Sequence, residues 1–73
     1  MLIHVQSASG QGMLTSFAAP EAPGVGDTLE ILVNARAELF TVVGRRWVVT
    51  QEGELGAPLG TLTMCTLSVL PKW

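Results

Sequence analysis

Between Thr28 and Val33 the chain alternates cleanly, with Leu29, Ile31 and Val33 on one side and Thr28, Glu30, Leu32 and Asn34 on the other. A period of two marks a strand with one buried face. The stretch from Glu38 to Thr50 alternates too, but its parity changes. Phe40 and Val42 fall on even positions, Trp47 and Val49 on odd ones. One extra residue between the pairs restores a common face, and Gly44 stands there, so the pattern predicts a β-bulge or sharp bend at Gly44-Arg45. Such a bend lets a small sheet curl onto itself. Two strands joined by a Gly-Arg turn is the other reading of the same stretch.

The ends follow similar logic. Met1 to Ala8 alternates weakly, with Ile3 and Val5 on one face, and Ser9-Gly10-Gln11-Gly12 is a turn signal. Met13 to Ala18 returns as a second strand, which predicts an N-terminal hairpin anchored by Phe17. Ala19 to Gly26 holds Pro20, Pro23, Gly24 and Gly26, a composition that forbids a regular element. Gly26-Asp27 then launches the Thr28 strand, and Asn34-Ala35-Arg36-Ala37 reads as a hairpin connection. Gln51 to Gly60 reads as a mobile loop. Thr61 to Leu70 is a threonine-rich final strand, apolar on both faces and ended by Pro71. No stretch reads as a helix of useful length.

These elements predict one domain over residues 1–73: an all-β, SH3-like, strongly bent antiparallel barrel of five or six strands. The predicted core is Ile3, Val5, Phe17, Leu29, Ile31, Phe40, Val42, Trp47, Val49, Leu67 and Val69.

Composition changes this picture in one respect. Apolar residues make up 48% of the chain and charged residues 14%, against roughly 25% charged in an ordinary globular domain. A domain this small buries only about 60% of its unfolded surface, so part of the apolar content is expected outside, where large patches mark interfaces. A homo-oligomer or an obligate protein partner is therefore expected; the other reading is a filled barrel with scattered exposed leucines. The formal net charge is −2, with Arg36, Arg45, Arg46 and Lys72 the cationic side chains. That balance argues against duplex nucleic acid, which needs a basic field, and leaves room for a small anionic ligand. Cys65 stands alone, without an intramolecular disulfide partner or metal-ligand spacing. With no secretory leader pattern and no apolar run near the roughly 20 residues of a membrane span, a cytoplasmic setting is the simplest.

Candidate chemistry is sparse. Arg45-Arg46-Trp47 is the most functional-looking spot: an arginine beside an indole can stack on an anion or base, or anchor a protein contact. Covering the barrel edge with an aliphatic stem is the plainer role. Trp73, after Pro71, either folds back or docks on a neighbour. Arg45, Arg46 and Trp73 are the candidate binding residues. His4 reads as a half-exposed strand histidine and Cys65 as an apolar filler. Gly10-Gln11-Gly12 lacks the lysine and helix of a phosphate loop, and Glu52 with Glu54 reads as a solvated loop tip. Without a nucleophile set, a zinc spacing or a catalytic carboxylate pair, the expectation is a non-enzymatic protein with no cofactor.

Pro23-Gly24-Val25-Gly26-Asp27, Phe40-Thr41-Val42, Arg46-Trp47 and Leu67-Ser68-Val69 together resemble small phage- and prophage-encoded SH3-like β-barrel proteins. The resemblance covers most of the chain and implies an accessory role in infection, such as binding and inhibiting a host or defence protein. It carries over no site residue. Two other functions stay open: an oligomer sequestering a small anionic or nucleotide-like molecule at the arginines, and a small structural part of a phage head or tail.

Overall fold

The computed structural model describes residues 1–10, 12–56 and 60–72. They form five strands, β1 (Leu2–Ser7), β2 (Met13–Ala18), β3 (Thr28–Val33), β4 (Arg36–Thr50) and β5 (Thr61–Pro71). The strands make one sheet in the order β2-β1-β5-β4-β3, with no helix among the described residues. None of these residues therefore belongs to a helix long and apolar enough to cross a membrane.

Local chemistry explains the hairpins. Gly10 and Gly12 both adopt positive φ at the turn between β1 and β2, a region open to glycine without steric cost. The β3–β4 connection is tighter than a four-residue link. Val33 already pairs with Arg36, leaving Asn34 and Ala35 as a two-residue turn with φ of 52° and 64°. Positive φ at both central residues matches the right-handed twist of the flanking strands.

The antiparallel expectation needs one correction. β1–β2, β3–β4 and β4–β5 are antiparallel, but β1 and β5 run parallel, with Ile3 opposite Cys65 and Val5 opposite Leu67. The proline-containing loop after β2 carries the chain to the far edge of the sheet. Two hairpin reversals then return β5 to the centre in the direction of β1.

β4 is the backbone of the architecture. Its 15 residues, at about 3.3 Å each, account for the 45 Å long dimension of the molecule. β3 lies along its first part, from Val33 opposite Arg36 to Thr28 opposite Thr41. β5 lies along the other side from Phe40 to Thr50, and its register shifts between Val42 and Gly44 and again between Val48 and Val49. After the first shift Arg45 faces Leu67 and Trp47 faces Cys65, so both lie on the face that holds Val42 and Val69.

The sheet curls around this inner face. Ile3, Val5, Phe40, Val42, Cys65, Leu67 and Val69 are buried there, with Phe17, Leu29, Ile31 and the loop residues Ala19 and Ala22 packed against them. The half-barrel stays open between β2 and β3, its two outer strands. Two expected core residues are not core: Trp47 is 42% and Val49 57% exposed. Their parity is inward, but the covering loop reaches only to Arg45, whose Nη1 donates to the Pro23 carbonyl at 3.4 Å. Cys65, fully buried, fills the centre instead.

Candidate functional site

The residues of Arg45-Arg46-Trp47 are divided between two faces by simple strand alternation. Arg45 and Trp47 share the inner face, and the guanidinium carbon of Arg45 lies 5.0 Å from the centroid of the Trp47 ring. That is the spacing of a cation–π contact. The long bond to Pro23 adds little by itself, yet it ties the loop to β4. Within the loop, the Gly24 amide donates to Asp27 Oδ2 at 2.7 Å, which makes Asp27 a turn-closing residue. Arg46 pairs with Thr66 and points outward from the other face. The two arginines do not converge. Trp73 lies outside the described residues.

The inner face does not end at Trp47. The second register shift brings Leu62 opposite Val49, and Leu62 is 45% exposed. Trp47, Val49 and Leu62 thus form an apolar strip that leads from the covered core onto the open end of the β4–β5 hairpin. Simple alternation hides Leu62, since Leu62 and Met64 have the same parity and the irregularity between them is set by strand pairing. The neighbouring glycine-rich loop was the only sequence signal that this end is thinly covered.

The other candidates stay apart. His4 faces Ser16 and Thr66, on the opposite side of the sheet from Cys65. Burial pushes the Cys65 thiol above its ordinary value of 9.0, and the nearby Arg45 charge pulls it partly back, so the thiol stays protonated near neutrality. Glu52 lines a shallow hollow of about 460 Å³ with Thr50, Thr61 and Thr63, while the Glu54 carbonyl accepts from Gln51 Nε2. Among the described residues, no group of three or more His, Cys, Asp or Glu could hold a metal ion. A groove of about 330 Å³ marks the open seam, lined by Thr15 and Phe17 of β2 and Leu29, Glu30, Ile31 and Leu32 of β3. Compared with known proteins, the chain matches no family model, no curated protein and no solved structure.

Proposed function

We propose that the chain is a non-enzymatic protein-binding module that contacts its partner through the open part of its inner face. The supporting observation is the strip of Trp47, Val49 and Leu62, apolar and substantially exposed, with the Arg45 guanidinium stacked at its inner end. Aromatic and arginine side chains next to apolar surface are the usual anchors of protein contacts. In this reading the curled sheet is a member of the SH3-like barrels, the shift at Val42–Gly44 is the bulge that bends it, and the setting is cytoplasmic. The role is that of a phage-encoded inhibitor of a host or defence protein, as the resemblance implies.

The test is affinity capture with the tagged chain, comparing variants face by face. Arg45→Ala and Trp47→Ala should abolish capture of a partner that the wild type retains, with far-ultraviolet circular dichroism unchanged. Arg46→Ala should leave that partner bound. Capture indifferent to Arg45 and Trp47 defeats the assignment of this face.

A further inference from the structure

The Gly44–Thr50 part of β4 has β5 on one side and, among the described residues, no strand on the other. β3 leaves β4 at Thr41, and the last backbone bonds on that side join Val42 to Gly26 and Asp27. Every second N–H and C=O beyond Val42 therefore points to the open edge, which is a template for another strand. This stretch contains neither proline nor lysine, so its edge protection is limited to the register shifts at its two ends and the inward Arg45.

Its charges run in order. Arg45 and Arg46 stand at one end, Glu52 and Glu54 just beyond the other, and Trp47-Val48-Val49 lies between without charge. A strand with this polarity is complementary to itself when antiparallel and repels itself when parallel. We propose that a second copy of this chain pairs antiparallel with this edge, with Val48 at the two-fold axis. Trp47 then faces Val49 of the second copy, Arg46 faces its Thr50, and its Glu52 lies diagonal to Arg46. Arg faces no Arg in this register. The contact is isologous and closes after two copies. It also extends an existing uncharged row, because Ala18, Leu2, Met64 and Val48 already lie side by side across β2, β1, β5 and β4. The two inner faces stay open, and each keeps its Arg45–Trp47 pair.

Arg46 and Thr50 of one chain lie about 13 Å apart along β4, with Glu52 two residues beyond its end, so a charge-reversal rescue between Arg46 and Glu52 is expected to act across copies. Sedimentation of the full chain tests the proposal without any other protein. The wild type should be a dimer at about 0.1 mM. Arg46→Glu should weaken it by about tenfold or more, and Arg46→Glu with Glu52→Arg should restore it to within about threefold. Val48→Cys should form an intermolecular disulfide under mild oxidation, because directly opposed strand residues fall within disulfide reach. A wild-type monomer at that concentration overturns the proposal, as does a dimer that neither weakens with Arg46→Glu nor links through Val48→Cys. Either failure leaves the partner-capture test of the inner face unaffected.

Discussion

At the scale of single residues, position on the inner face matters less than what covers it. Leu67 and Val49 are both inward, but Leu67 is fully buried and Val49 is 57% exposed. Leu67→Ala should cost about 2–5 kcal/mol and Val49→Ala less than about 1 kcal/mol, read from urea denaturation midpoints. Arg45→Met keeps most of the stem but loses the charge over Trp47. At an exposed site that is worth about 0.5–1 kcal/mol, so the variant should unfold only slightly earlier. Cys65 gives a pH signature. Its folded-state value lies above the ordinary 9.0, so the folded chain holds the proton longer than the unfolded one. The thiol's contribution is complete below 9 and declines as pH rises from there toward the folded value. Urea titrations of the wild type should therefore show extra destabilisation as pH rises above 9 that Cys65→Ala lacks; parallel pH slopes would show that burial does not hold the proton on the thiol.

At the scale of the element, the β3–β4 turn holds a local compromise. Asn34 tolerates the left-handed region, but Ala35 at φ 64° does not do so freely. Glycine at that position completes the preferred Asn-Gly turn. Ala35→Gly should stabilise the fold by about 0.5–1 kcal/mol after the entropy cost of glycine, a rise of a few degrees in Tm. A lower Tm would mean that the turn relaxes to negative φ in solution. β4 shows a second property of elements: its neighbour changes along its length. It pairs with β3 alone from Arg36 to Leu39, lies between β3 and β5 at Phe40 and Thr41, and beyond Val42, among the described residues, has β5 alone. The inference of a second copy belongs to that edge half alone.

At the scale of the whole molecule, the sheet curls without closing. β2 and β3 stay unpaired on their outer sides, and the groove between them is lined by Phe17, Leu29 and Ile31. Among the described residues, one small core of seven buried apolar side chains supports all five strands. A domain of this length has roughly 4–11 kcal/mol of stability, so a loss such as that at Leu67 should destabilise the five strands together. A single transition by circular dichroism and tryptophan fluorescence is expected; separate transitions would show that the β4–β5 hairpin opens independently.

Alternation and turn chemistry are local, and they determined much of this molecule by themselves. The strand at Thr28–Val33, the long strand through Phe40 and Val42 and the glycine turn after β1 all follow from spacing of two and from residues suited to unusual φ. The common parity of Arg45 and Trp47 is equally local, so half of the candidate site was legible. Whether that shared face is covered was not, because covering depends on how far a loop 22 residues away in the chain, at Pro23, reaches across β4. The parallel pairing of β1 with β5, the central place of Cys65 and the shift that sets Leu62 beside Val49 are likewise products of pairing between distant segments. Local periodicity assigns a residue to a face of its strand; only the tertiary structure decides whether that face meets protein or solvent.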